Sequence, residues 1–117
     1  MKLIVAIIRT DKLEDVQRAL AERDIYLMTV SDVRGCGRQR GYTEVYRGTE
    51  VTTRLIPKLK LEIAVNEAFA EAAVEAIVHA ARTEGTGAVG DGKIFVISLD
   101  DAVRIRTGER GAEAIGP

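Results

Sequence analysis

The apolar run Leu3 to Ile8, LIVAII, constrains the fold most strongly because it contains no polar residue. Its short length and β-branched residues predict a strand. We expect a strand here and not a signal peptide, since MKLIVAIIR lacks a small-residue cleavage site and leads directly into a helix pattern. A strand that is apolar on both faces must be covered on both faces.

One helix and one strand follow in the first half of the chain. Apolar residues at helical spacing predict an amphipathic helix from Lys12 to about Arg23. Asp11 is the expected N-cap, and Glu14, three residues later, completes a capping-box pattern. A second strand is predicted from Tyr26 to Arg34.

The second half repeats this order. Apolar and polar residues alternate cleanly from Leu59 to Val65, which predicts a strand with one buried face. Asn66 is the expected N-cap of a long helix, from about Glu67 to Arg82. A strand at Ile94 to Leu99 comes next, with a short strand at Val103 to Arg106 as a further expectation. The tail, about 107–117, has no periodic signal and is expected to be mobile.

The order β-α-β, long loop, β-α-β predicts an α+β fold of the ferredoxin-like plan, with two helices on one face of an antiparallel sheet. A single domain is expected over residues 1–117. The first strand is apolar on both faces and the strand Ile94 to Leu99 nearly so, yet no spare element can cover the second face. The sequence therefore predicts self-association through the open sheet face.

Composition argues against several classes of function. The net charge of −1 gives no general attraction to nucleic acid or to an anionic membrane, and no apolar run approaches the roughly 20 residues that span a bilayer. An RNA-binding module of ferredoxin-like plan stays a weak alternative, because aromatic residues make up only 4% and tryptophan is absent. The single cysteine, Cys36, fits a reducing cytosol.

A basic segment separates the two halves. Between Gly35 and about Leu55 no hydrophobic period is sustained, and the segment exceeds the usual length of an irregular loop. From Arg34 to Lys60 seven basic residues stand against two acidic ones, which gives +5 in a chain of −1. Either the loop is simply solvated, or it faces an anion or a partner, and the concentration of charge favours the second reading.

Two further sequence patterns bear on whether the chain binds an anion. Arg104 and Arg106 in VRIRTG would share one face of a strand, where like charges are unfavourable unless an anion lies between them. The alternative is an edge strand protected by charge. In TGAVGDGKIFV, three glycines precede Lys93, but a strand pattern follows the lysine. The order strand, loop, helix of the common phosphate loop is therefore not met.

Taken together, these stretches resemble the PII family of nitrogen-signalling proteins. The resemblance runs from MKLIVAII to VRIRTGE and includes RGCGRQRGYTEVYRG, PKLKLEI and TGAVGDGKIFV, which covers nearly the whole chain. It implies a compact homotrimer with an ATP or ADP site in each cleft between subunits, and a T-loop at about residues 37–55. It also implies that 2-oxoglutarate binds together with Mg-ATP.

The resemblance implies the following site residues. The nucleotide would be bound by Thr29, Gly35, Gly37, Arg38, Ala64, Gly90, Asp91, Gly92, Lys93, Arg104 and Arg106. Of these, Arg104 and Arg106 would reach across from the neighbouring subunit. 2-Oxoglutarate would be bound by Gln39, Arg40, Gly41, Lys58 and Gly90, with Gln39 also a ligand of Mg²⁺. Glu62 would order the basic cluster or form an ordinary intersubunit salt bridge.

The implied function is signalling without obligatory catalysis, by a cytoplasmic protein that a transporter could recruit to the membrane. The expected partner is an ammonium transporter of the Amt type, contacted by Arg47, with an enzyme of nitrogen or carbon metabolism as the second choice. The alternatives are a slow ATPase, in which Asp91 is the only candidate base, and a PII-like trimer that regulates another partner without sensing 2-oxoglutarate. A structural trimer without ligands is a third.

The sequence departs from the family in two places that matter. Val51 replaces the tyrosine that is modified in some members, so no covalent modification is expected; Thr49 and Tyr46 are weaker candidates. RTEGTGAVGDG is about three residues longer than the usual RTGxIGDG, which leaves the placement of Thr86 and Gly87 open. His79 has no partner at metal-binding spacing.

Overall fold

The computed structural model describes residues 1–36, 43–46, 49–52 and 55–116, with side chains for 1–36 and 55–116. The strands are β1 (Lys2–Ile8), β2 (Thr29–Gly35), β3 (Thr43–Tyr46), β4 (Thr49–Thr52), β5 (Ile56–Val65) and β6 (Gly92–Ser98). The helices are α1 (Leu13–Ala21), α2 (Glu67–Ala81) and α3 (Ala112–Ile115).

The four long strands form one antiparallel sheet in the order β2-β5-β1-β6. Alternation along β1 turns Ile4, Ala6 and Ile8 toward α1 and α2, where all three are buried. The alternation along β5 is confirmed, since every second residue from Leu59 to Val65 is buried. The ferredoxin-like α+β plan predicted from the element order is therefore confirmed.

The other sheet face divides into an apolar half and a charged half. On β1 and β6, Val5 pairs with Phe95 and Leu3 with Ile97, and both partners on β6 are about half exposed, at 48% and 47%. On β5 the same face carries a charged row: Lys58, Lys60 and Glu62. The open apolar face that the sequence predicts is thus present on β1 and β6 only.

The structure differs from the predictions at the starts of two helices and one strand. Asp11 is not the N-cap of α1; it lies in a single 3-10 turn, Thr10–Lys12, that closes when the Lys12 N–H donates to the Arg9 carbonyl. Asn66 does occupy the N-cap position of α2, but its side chain accepts no capping hydrogen bond from the helix; its amide group donates to the carbonyls of Ala112 and Gly116. β2 begins at Thr29, three residues later than predicted.

The basic segment contains regular structure although it lacks a hydrophobic period. β3 and β4 pair with each other in antiparallel register, from Thr43 opposite Thr52 to Tyr46 opposite Thr49. The pairing of two strands is defined by cross-strand hydrogen bonds and does not require alternating apolar residues, so hydrophobic periodicity did not reveal it.

The C-terminal tail, which has no periodic signal in the sequence, contains a short helix among the described residues. α3 forms at 112–115, and the Ile115 side chain is 8% exposed. The expected strand at Val103 to Arg106 is wrong, because only an isolated bridge joins Val103 to Arg110. The Gly108 N–H instead donates to the Arg104 carbonyl and closes a turn.

No helix in the described ranges combines the length and the apolar character that crossing a bilayer requires.

Gly92 is the position at which β6 can least tolerate a side chain. Its φ is +115°, and a Cβ there would lie 1.8 Å from the Ile7 carbonyl oxygen of the neighbouring strand. We expect Gly92→Ala to lower the free energy of unfolding by more than the roughly 1–3 kcal/mol that an unfavourable backbone conformation costs, since the strands must also separate. Urea denaturation measures this change.

Gly35→Ala is the matched control. A Cβ at Gly35 would meet only the Lys58 Cγ, at 3.8 Å, and its φ is not in the left-handed region. Its stability should stay within about 1 kcal/mol of the wild type. Equal losses in the two variants would contradict the assigned contact between Gly92 and β1.

Candidate functional site

A cleft of about 400 Å³ opens at one end of the open sheet face, where β2 ends and β5 and β6 begin. Five of the residues predicted for ligand binding line it: Gly35, Lys58, Gly90, Gly92 and Lys93. Ile7, Cys36, Ile56, Val89 and Phe95 supply the remaining, largely apolar wall. The structure thus brings together predicted residues from three separate parts of the sequence.

Strand register places the two lysines on this face. Ile7 pairs with Lys93 and Val33 pairs with Lys58, so both lysines lie on the side of the sheet opposite the helices. The Lys58 ammonium donates to the Gly90 carbonyl and so joins β5 to the connection between α2 and β6, residues 82–91, which we call the glycine loop. Burial lowers the Lys58 pKa, with a smaller contribution from the nearby Arg9 charge, while Asp91 and Asp11 act in the opposite direction.

The glycine loop is organised by the carboxylate of Asp91, which is 19% exposed. It accepts hydrogen bonds from the Arg9 Nε at 2.9 Å, the Thr83 N–H at 3.0 Å and the Ala88 N–H at 2.9 Å, and a fourth from the Thr83 hydroxyl. These bonds close the connection between α2 and β6 into a ring around one negative charge. The nucleotide contact predicted for Asp91 stays a prediction, because its side-chain oxygens are occupied within the protein.

The pKa of Asp91 reflects this arrangement. Burial of the carboxylate disfavours its charge, but the bonds from Thr83, Ala88 and Arg9 outweigh that effect. They hold the pKa well below the usual range of an aspartate. Asp91 is therefore a weak base and a poor candidate for the ATPase alternative.

Arg9 is a residue of this site that the sequence reasoning missed. Besides its bond to Asp91, its Nη2 donates to the Val89 carbonyl at 3.0 Å. The only sequence signal was its position directly after the apolar run of β1, which places it at the sheet end where the glycine loop returns. Thr83 was also missed, because a hydroxyl residue after a helix has many ordinary roles.

The extra residues before Gly87 are accommodated outside the cleft. Gly85 and Gly87 both have φ of +84°, and the exposed Thr86 lies in the turn between them. A Cβ at Gly87 would lie 3.0 Å from both the Arg82 Cγ and the Asp91 Oδ2. Gly87 therefore packs against the organising carboxylate, and the lengthened turn does not alter the lining of the cleft.

A second group of predicted residues lies far from the cleft within the chain. Thr29 pairs with Glu62 and Ala64 pairs with Leu3. Because Ala64 is six residues along β5 from Lys58, the two are about 20 Å apart at the usual rise of a strand.

The two arginines were predicted to share a strand face, and this is wrong. Arg104 precedes a turn, and its guanidinium donates to the Glu109 carboxylate at 2.9 Å and to the Glu113 carbonyl at 2.7 Å. Arg106 lies exposed within that turn. The turn forms because Gly108, at φ of +76°, permits the chain to reverse there.

The remaining predicted residues lie outside the described residues or outside the cleft. Gly37, Arg38, Gln39, Arg40, Gly41 and Arg47 lie outside the described residues, and Val51 lies in β4, where only the backbone is described. Glu62 lies 3.8 Å from the Lys60 ammonium of the same chain, on the open face. Over the ranges with side chains, no group of His, Cys, Asp and Glu is arranged to hold a metal ion.

The Asp91 carboxylate gives a prediction about stability and pH. Asp91→Asn would turn an NH₂ group toward N–H donors, so we expect a loss of about 1.5–3 kcal/mol at neutral pH, the contribution of a hydrogen bond to a charged group. Because the folded pKa is lowered, the wild-type advantage is complete above the unfolded pKa of about 3.9 and declines as the pH falls below it. Denaturation between pH 7 and pH 3 measures both effects, with the exposed Asp100→Asn as control. A gap that widens at acid pH would contradict the assigned role.

Known proteins resemble this chain over nearly its whole length. The family model for nitrogen regulatory protein P-II matches residues 1–109. The chain is 53% identical over 115 residues to nitrogen regulatory protein P-II of Rhizobium etli, which covers 98% of this chain and 100% of the relative. Nitrogen regulatory protein P-II 2 of Methanothermobacter thermautotrophicus is 52% identical over 98% of this chain and 97% of its own length. These relatives are named as regulatory proteins and not as enzymes, as predicted, and the chain belongs to the nitrogen regulatory protein P-II family of signal-transduction regulators.

Proposed function

We propose that this chain senses ATP and ADP, and 2-oxoglutarate together with Mg-ATP, and regulates a partner through its T-loop. The observation that supports this most is the single cleft in which Gly90, Gly92, Lys93 and Lys58 meet. Glycine lets backbone N–H groups approach a phosphate, and Lys93 supplies a counter-charge. Lys58 lies one hydrogen bond from the glycine loop, which is where a carboxylate effector beside the nucleotide would need a cation.

The site is completed by a second copy of the chain in this proposal. Thr29 and Ala64 lie toward the other end of the sheet, each six residues along its strand from a cleft residue and so about 20 Å away, which favours a second copy as the source of these contacts. The apolar half of the open face, around Phe95 and Ile97, is the surface through which copies would associate. We propose a homotrimer with the nucleotide between subunits.

The regulated partner in this proposal is an ammonium transporter of the Amt type, with an enzyme of nitrogen or carbon metabolism as the second candidate. Ligands at the base of the T-loop would select among its conformations, which is an order–disorder type of switch. Mg²⁺ would be held by the nucleotide phosphates with Gln39, whose amide oxygen is a suitable ligand. The proposed location is the cytoplasm, at the membrane face when the transporter is bound.

Calorimetry tests the ligand proposal. ATP should bind the wild type, and 2-oxoglutarate should bind only when ATP and Mg²⁺ are present. Lys93→Ala should weaken ATP binding by about 1.5–3 kcal/mol, the value of a charge-assisted hydrogen bond. Arg18→Ala removes an exposed cation on α1 and should leave the affinity unchanged. Equal binding of 2-oxoglutarate without nucleotide would refute the proposed mechanism.

Native mass spectrometry tests the assembly. The wild type should be a trimer, and Ile97→Asp should dissociate it, because a charge would enter the apolar contact while the isolated chain already exposes this side chain to water. Nucleotide affinity should fall together with assembly. Val78→Asp, at a comparably exposed site on α2, is the control. A wild-type monomer with full ATP affinity would overturn the intersubunit site.

A further inference from the structure

We propose that Arg9 is a positioning residue for phosphate binding: it fixes the direction of the peptide groups in the glycine loop. The proposal rests on the proposed function, because it assigns a role within the same nucleotide site. Arg9 is only about one-third exposed, and its planar guanidinium contacts two residues of the loop at once.

Two hydrogen bonds join the Arg9 guanidinium to the glycine loop. The Arg9 Nε donates to the Asp91 carboxylate and its Nη2 donates to the Val89 carbonyl, at 2.9 and 3.0 Å. A guanidinium presents such donors in a rigid fork, whereas an ammonium is a point charge that cannot reproduce the same spacing. Arg9 thus fixes the loop on both sides of Gly90.

The bond from Arg9 to the Val89 carbonyl sets the orientation of the next peptide group. The described residues contain no cis peptide bond, so the N–H of Gly90 points opposite to the Val89 carbonyl that Arg9 holds. The next carbonyl, of Gly90, is held by Lys58. Two successive carbonyl dipoles are therefore directed at protein cations, where they cannot repel an incoming phosphate.

The Asp91 carboxylate keeps Arg9 in place. Asp91 neutralises the guanidinium and is itself tied to the N–H groups of Thr83 and Ala88. The ion pair is partly buried, so its geometry is less screened by solvent than that of the exposed pair Arg18–Asp15, whose charged atoms are 3.7 Å apart. Gly90, at φ of +99°, supplies a backbone conformation that residues with a side chain rarely adopt.

The test compares ATP with adenosine. We expect Arg9→Met to lower ATP affinity about ten- to hundredfold, the loss associated with a hydrogen bond to a charged group, and to leave adenosine affinity within about twofold. Arg9→Lys, which restores the charge without the fork, should give an intermediate ATP affinity. Arg18→Met controls for the loss of one arginine. Circular dichroism and native mass spectrometry establish that each variant is folded and assembled as the wild type.

Amide hydrogen exchange without ligand gives a second measurement. The N–H groups of Thr83 and Ala88 should exchange faster in Arg9→Met, because the carboxylate they bind has lost its partner. If the wild type binds ATP and Arg9→Met binds it equally well, the inference alone is overturned. Equal losses for ATP and adenosine would also overturn it. If the wild type binds no ATP, the proposed function fails and the inference about phosphate fails with it.

Discussion

The burial of β1 between β5 and β6 is the constraint on which the rest of the structure depends. Ile4, Ala6 and Ile8 are fully enclosed under the helices, while Leu3, Val5 and Ile7 stand on the opposite face. Because β1 pairs on both edges, its register fixes where β5 and β6 begin and end. A slip of one residue would exchange the two faces and turn Lys93 toward the helix layer.

The pairing register of β1 with β6 sets the geometry of the cleft. Ile8 is opposite Gly92, and the chain leaves β1 at Arg9 at the same level where the glycine loop enters β6. Arg9 can therefore reach Val89 and Asp91 without crossing the sheet. The lysine after the glycines leads into a strand because the cleft lies at a sheet end. In the proposed function, the phosphates would meet lysines from β5 and β6 and not the N-terminus of a helix.

The sequence correctly predicts those strands in which burial determines the pattern of apolar and polar residues. The alternation from Leu59 to Val65 and the apolar run of β1 report which side chains leave water, and both were predicted correctly. The predictions failed where individual hydrogen bonds, several of them between distant parts of the chain, decide the structure. Asp11 is a residue type typical of an N-cap, but the Lys12 N–H closes a tighter turn on Arg9 instead. In the tail, the Gly116 carbonyl accepts a hydrogen bond from the Asn66 side chain, 50 residues away. Arg9 and Thr83 were missed for the same reason, since their roles depend on hydrogen bonds to Asp91 that no sequence pattern indicates.

The bond between Lys58 and the Gly90 carbonyl bears on why an acidic effector would need the nucleotide. Lys58 already donates one of its three N–H groups to the Gly90 carbonyl, so in the proposed function a carboxylate would share the ammonium with that carbonyl and would gain less than from a lysine without a protein partner. Burial further lowers the Lys58 pKa, which shows that the site does not favour an isolated charge. A carboxylate that also coordinated a nucleotide-bound Mg²⁺ would gain a second strong contact at no further entropic cost of association. In the proposed function, the effector would therefore bind well only when the nucleotide and Mg²⁺ supply this second contact.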